Sequence, residues 1–169
     1  MMPTESPLET LNEAEPEHAE RELLACCAAR RWADELIVHR PYHDVATLEQ
    51  VSDRVFAKLD WADIEQALAA HPRIGERVTG ESREASWSRD EQSEARGDLE
   101  LQEELRAANA EYERRFGHLF VINATGRSAE EILAALRARL GNDPSTERET
   151  VREELRQIAN LRLRKLVGA

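Results

Sequence analysis

Two polar residues interrupt helical apolar stripes, and their side chains suit proton transfer and anion binding. Ile64, Leu68 and His71 share one stripe, which turns the His71 imidazole inward just ahead of the helix-stopping Pro72. A helix C-terminus favours the protonated ring by ~0.3–1 kcal/mol, and an imidazole titrating near neutrality is a natural proton shuttle. A satisfied core histidine or a plain C-terminal cap fits the same spacing. Arg162 falls in the middle of the arc formed by Val151, Leu155, Ile158, Ala159, Leu161 and Leu166. A buried guanidinium needs an anion, and its planar fork suits a carboxylate. That anion is either an internal carboxylate or a ligand, unless the stem snorkels and leaves the head in water. A third candidate, Glu91, is accounted for by spacing alone: Ser88-Arg-Asp-Glu91 reads as a capping box, and Gln92 is ordinary on a helix. The turn Ala124-Thr125-Gly126-Arg127-Ser128 enters a helix start, where backbone amides can face an anion, although a plain loop is the commoner use.

Several chemistries lack their residues. There is no glycine-rich phosphate loop with its lysine, no dinucleotide fingerprint, no H-E-x-x-H and no serine nucleophile elbow. His39 and His43 are four apart, but Pro41 between them forbids a shared helix face, so no metal site and no cofactor are expected.

The elements that must position these residues read as helices. Ala, Leu, Glu and Arg dominate, aromatics are 5%, and Val, Ile and Thr never alternate, so an all-α chain of about seven to eight helices in one compact bundle is expected, with no significant sheet. Residues 1–15 form a polar lead expected to fray, and residues 16–169 a single helical domain. Helices are predicted over 17–30, 31–38, 47–59, 60–70, 88–116, 128–140 and 146–167. Ser88, Ser128 and Thr146 each open one through an S/T-x-x-E pattern. Leu101, Leu105, Ala108, Tyr112 and Phe116 form the stripe of the long helix. Residues 73–87 read mainly as a loop and 118–124 as a short extended stretch. Trp32, Tyr42, Phe56 and Trp61 read as core or interface aromatics.

Composition narrows the partners. Asp plus Glu number 34 against 23 Lys plus Arg, a net charge of −11, which opposes nucleic acid and anionic membrane as partners. The longest apolar runs fall far short of the ~20 residues a membrane span requires. Cys26 and Cys27 are adjacent, a poor geometry for a disulfide, so a reducing cytoplasmic setting is the default. A homodimer is compatible with all of this and the sequence does not decide it.

Taken in order, five motifs resemble one family. They are His71-Pro-Arg-Ile-Gly-Glu76, Trp87-Ser88-x-x-Glu91-Gln92, Asn109-x-x-Tyr112-x-x-Arg115-Phe116-Gly117, Phe120-Val121-Ile122-Asn123-Ala124-Thr-Gly-Arg-Ser128 and Leu161-Arg162-Leu163. Arg40-Pro41-Tyr42, Asp60-Trp61 and Leu140-x-Asn142-Asp143-Pro144 fit as well. The chain resembles 2-oxo-4-hydroxy-4-carboxy-5-ureidoimidazoline (OHCU) decarboxylases from about residue 8 onward. Those enzymes catalyse the last step from urate to (S)-allantoin.

The resemblance implies a cofactor-independent carboxy-lyase acting on a small anionic ureidoimidazoline. It makes His71 the proton-handling residue and Glu91 the functional carboxylate. It assigns Pro72, Ser88, Gln92, Phe120, Val121, Ile122, Asn123 and Ala124 to substrate contact, the last five partly through backbone. It gives Arg162 the anionic end of the substrate. Asn123 departs from the family pattern, where Cys or Ala is frequent, and Glu94-Ala-Arg-Gly97 is more charged than usual. Some relatives are fused to a transthyretin-like hydrolase; with this chain ending at Ala169, that step is expected from another protein. The rival readings are a non-catalytic purine- or ureide-binding module and an acidic helical adaptor. Titration of His71 separates them, since an adaptor needs none.

Overall fold

The computed structural model describes residues 5–74, 83–92 and 99–169. Among them are nine helices and no strand: α1 Pro7–Glu13, α2 Pro16–Cys26, α3 Arg30–Val38, α4 Val45–Lys58, α5 Trp61–Leu68, α6 Arg83–Glu91, α7 Leu99–Phe116, α8 Ala129–Arg139 and α9 Pro144–Leu166. The all-α expectation holds, with α1 and α6 as the additional helices. The chain divides into two compact units, one formed by the residues up to Ala67 with Arg156–Ala169, the other by Leu68–Leu155.

In the first unit α3 packs against α2 and α4. Its amphipathic sequence explains this: Trp32, Ala33 and Leu36 are buried while Arg31, Asp34 and Glu35 face out. The Trp32 indole donates to Ser52 Oγ at 2.9 Å and meets Phe56 edge-on at 6.3 Å. The last part of α9 is tied to α4, where Asp53 accepts from Arg156 (2.9 Å) and Asn160 (2.8 Å), and Glu49 pairs with Arg164. Arg40 donates to the Leu11 and Ala14 carbonyls at 2.9 and 2.8 Å, closing the end of α1. Within the stretch read as a polar lead, Ser6 and Glu9 form a reciprocal capping box and Leu11 is buried.

The second unit packs α7 on α8. The expected α7 stripe is present: Leu105, Ala108 and Tyr112 are buried, with Leu101 and Phe116 against them. Gly117 ends the helix at φ +75°, a conformation that glycine adopts without a Cβ penalty. Tyr112 contacts Phe116 at 4.7 Å and Phe120 at 5.2 Å, and Ile132, Leu133 and Leu136 of α8 complete the cluster.

Three helix starts differ from expectation. Ser88 opens no helix: it lies buried inside α6, which begins at Arg83, while α7 begins at Leu99. A four-residue S-x-x-E pattern fits a helix interior as well as a start. Arg83, Glu84 and Ala85 are good helix formers, with an acid in the first turn and Arg89 in the last. Part of the predicted 73–87 loop is therefore helix; residues 75–82 and 93–98, including Gly75, Glu76 and the charged stretch 94–97, lie outside the described residues. Thr47 and Thr146 are likewise internal. Each gives its amide to an aspartate three residues upstream, Asp44 (2.8 Å) and Asp143 (2.7 Å), because the carboxylate is the stronger acceptor. Asp60 and Ser128 cap as expected, accepting the amides of Asp63 (3.0 Å) and Glu131 (3.1 Å).

Candidate active site

Helix α5 ends at Leu68, two residues short of the expected 70, and the His71–Pro72 turn follows after Ala69 and Ala70. The His71 N–H donates to the Leu68 carbonyl at 2.9 Å, and both His71 and Pro72 are half-buried. The next two residues strap this turn to α7. Arg73 Nε meets Glu113 at 2.8 Å, and Asn109 Nδ2 donates to the Ile74 carbonyl at 3.0 Å. The Arg73 side chain is over half exposed, so that pair contributes at most ~1 kcal/mol. The stronger hold is Ile74, which is buried in the same cluster as Leu105, Phe120, Ile122 and Ala124. The turn and the segment Phe120–Ala124 thus rest on one core.

Helix α6 carries the second group. Since it runs from Arg83, Glu91 is its last residue and is not the N3 partner of a Ser88 cap. Ser88, Glu91 and Gln92 are spaced i, i+3, i+4 and share one face. Ser88 is buried, and Glu91 and Gln92 are half-buried.

The segment Phe120–Ala124 is neither helix nor strand. Phe120, Ile122 and Ala124 sit in the core cluster, an alternation that sends Val121 and Asn123 the other way. Val121 is buried as well, and Asn123 is the partly exposed side chain of the five. The backbone is held by side chains. Arg139 Nη1 donates to the Val121 carbonyl at 2.7 Å. The Asn123 N–H donates to Glu154 at 2.9 Å, and Arg127 Nε donates to the Asn123 carbonyl at 3.0 Å.

Arg162 belongs to the first unit. It is 5% exposed, in line with its place on the helical wheel, and its Nη1 donates to the Ala25 carbonyl at 3.3 Å. Burial pushes the neighbouring Cys27 thiol up to about 12, with the Arg162 charge opposing the shift. Both cysteines are free thiols. Among the described residues no group of three His, Cys, Asp or Glu is placed to hold a metal ion, and no helix is long and apolar enough to cross a membrane.

A buried network behind the segment escaped the sequence reading. Glu147 is fully buried. It accepts from Arg139 Nε at 2.5 Å, Tyr112 Oη at 2.9 Å and Asn142 Nδ2 at 3.4 Å. Burial drives the Tyr112 phenol far above its ordinary value. A signal was available: Ile132, Leu136 and Arg139 follow one stripe at i, i+4, i+7, the same anomaly that marks Arg162.

The described residues are all-helical, with a His-Pro turn after α5, a Ser–Glu–Gln face on α6 and, in the other unit, a buried arginine on α9. The chain matches the family described as OHCU decarboxylase over residues 12–164, and it belongs to that family. It is 34% identical to the 2-oxo-4-hydroxy-4-carboxy-5-ureidoimidazoline decarboxylase of Amia calva, covering 76% of this chain and 75% of that one. It is 29% identical to the uric acid degradation bifunctional protein TTL of Arabidopsis thaliana, covering 89% of this chain but spanning only about half (48%) of that longer protein. A crystal structure of OHCU decarboxylase in the presence of (S)-allantoin superimposes with a TM-score of 0.76, at 26% identity, covering 92% of this chain and all of that one.

Proposed function

We propose that this chain is a carboxy-lyase that converts 2-oxo-4-hydroxy-4-carboxy-5-ureidoimidazoline to (S)-allantoin and CO2, in the cytoplasm and without a cofactor. The observation that carries the reading is the family match over 12–164, which spans residues of both units and so also supports treating 16–169 as one functional domain.

The chemistry suits side chains alone. The substrate loses CO2 from a carbon that also bears a hydroxyl. The electron pair left behind flows into the adjacent C=N and gives an enol-like intermediate. A proton then reaches the ureido-bearing carbon from one face, which sets the (S) configuration. His71 manages this proton from the turn that follows α5. Glu91 orients the imidazole or the ureido group, with Ser88 and Gln92 on the same helix face. Arg162 takes the anionic end of the substrate. Pro72 and the segment Phe120, Val121, Ile122, Asn123 and Ala124 supply shape and backbone contacts. General acid–base assistance accounts for ~10²–10⁴-fold, so positioning must supply much of the rest.

The test is His71→Asn, assayed on freshly generated substrate. Activity falls to the uncatalysed rate if His71 handles the proton. A variant that still yields only (S)-allantoin at the native rate removes that role.

A further inference from the structure

The residues that shape the segment Phe120–Ala124 include several with no role in the proposed chemistry. The segment belongs to no helix or strand among the described residues, and side chains reach its backbone. The main one is Arg139, 7% exposed, whose Nη1 holds the Val121 carbonyl at 2.7 Å. The guanidinium itself is fixed from three sides. Its Nε binds both oxygens of Glu147, at 2.5 and 3.2 Å. Its Cζ lies over the Phe120 ring, 4.5 Å from the ring centre. Glu147 is in turn held by the Tyr112 hydroxyl. The third nitrogen, Nη2, is buried with no hydrogen-bond partner among the described residues.

We propose that Arg139 is a positioning residue for the reaction: through the Val121 carbonyl it sets where the segment Phe120–Ala124 meets the substrate. This rests on the decarboxylase reading and on that segment's contact with substrate. A buried ion pair is weak evidence of a stabilising role, because well-packed apolar residues often replace one without loss. What apolar residues cannot replace is the donor to Val121. Lysine cannot replace it either, since a single ammonium does not present the planar fork that spans Glu147 and the Val121 carbonyl together.

Three variants of the full chain separate positioning from plain stability, each followed by thermal unfolding and by kcat and KM per folded molecule. Tyr112→Phe removes one bond to Glu147 and leaves Arg139 on Val121; it lowers Tm and keeps kcat. Arg139→Lys loses the fork; kcat falls by ~10–100-fold with a smaller change in KM, in line with the cost of a misplacement of about 1 Å. The triple variant Arg139→Met, Glu147→Leu, Tyr112→Phe removes both buried charges and the phenol together, leaving only the Val121 carbonyl and the Asn142 amide without their former partners. It stays folded and still loses kcat, and it serves if Arg139→Lys does not fold. Wild-type kcat in Arg139→Lys or in the triple variant overturns the proposal, and so does a loss in Tyr112→Phe as large as that in Arg139→Lys. A wild-type chain without activity refutes the decarboxylase reading and this proposal with it. An active wild type with an unimpaired Arg139 variant overturns this proposal alone.

Discussion

Glu147→Ala is the substitution expected to cost most for its size. The carboxylate is fully buried and accepts from Arg139, Tyr112 and Asn142. Truncation leaves a guanidinium that is nine-tenths buried with no counter-charge and a phenol without its acceptor. Breaking a buried pair from one side costs ~3–5 kcal/mol. Domains are stable by only ~5–15 kcal/mol in total, so the loss is a large share of what holds the chain folded. For a chain of this length each kcal/mol moves Tm by roughly 2–4 °C, giving a drop of roughly 6–20 °C. Urea unfolding followed by far-UV circular dichroism gives the free energy, and a thermal scan gives Tm. The comparison is Glu147→Gln, which keeps an acceptor oxygen but loses the charge and falls between the two. A Glu147→Ala protein that melts within about 2 °C of the wild type would refute the reasoning, because it would mean that Arg139 finds water or another anion at no cost.

Three further outcomes follow from the same geometry. Ser128→Ala removes the hydroxyl that accepts the Glu131 amide, and costs ~1 kcal/mol, a Tm shift of roughly 2–4 °C by thermal scan. The carboxyls of Asp44, Asp60 and Asp143 sit below their ordinary values, held there respectively by the Thr47 hydroxyl and amide, the Asp63 amide and the Thr146 amide. Their contribution is present above the unfolded value of ~3.9 and is lost as pH falls through the lower folded values; stability measured against pH should drop below about pH 4, and a curve flat to pH 2 would contradict the caps. Cys27 stays protonated well past neutrality because of its burial, so it resists alkylation in the folded protein at pH 8 and reacts once urea unfolds the chain. Its linkage runs the other way: unfolding frees the thiol to ionise, so stability declines as pH rises above ~8.5.

How much of this was legible beforehand depends on the length of the pattern involved. The α7 stripe from Leu101 to Phe116 runs over four turns, and a 3.6-residue period that long admits no other reading. Arg162 was legible for the same reason, as a charge inside an apolar arc, and it is buried. Short patterns failed. Ser88-x-x-Glu91 matched a helix start and belongs to a helix interior, so a true capping signal needs the preceding residues to be poor helix formers, and Arg83–Ala85 are not. At Thr47 and Thr146 the hydroxyl pattern hid a stronger acceptor three residues upstream. The Arg139–Glu147 pair was missed because its partners, eight residues apart, lie on two different helices: Arg139 interrupts the α8 stripe, but Glu147 alone looks like an ordinary acid in a first helical turn. The roles expected of Glu91 and of the segment Phe120–Ala124 rest on the ordered motifs alone, whereas His71 was already marked by its place on an apolar stripe.

The most direct test of the account is the handedness of the product. The unstable substrate is generated in place from urate by the two preceding enzymatic steps, and allantoin is followed by circular dichroism with and without this protein. The account predicts a fast, optically active (S) signal that requires the protein and disappears in His71→Asn. A slow, racemic background unchanged by added protein would contradict it and would leave a helical module that binds a purine or ureide without turning it over.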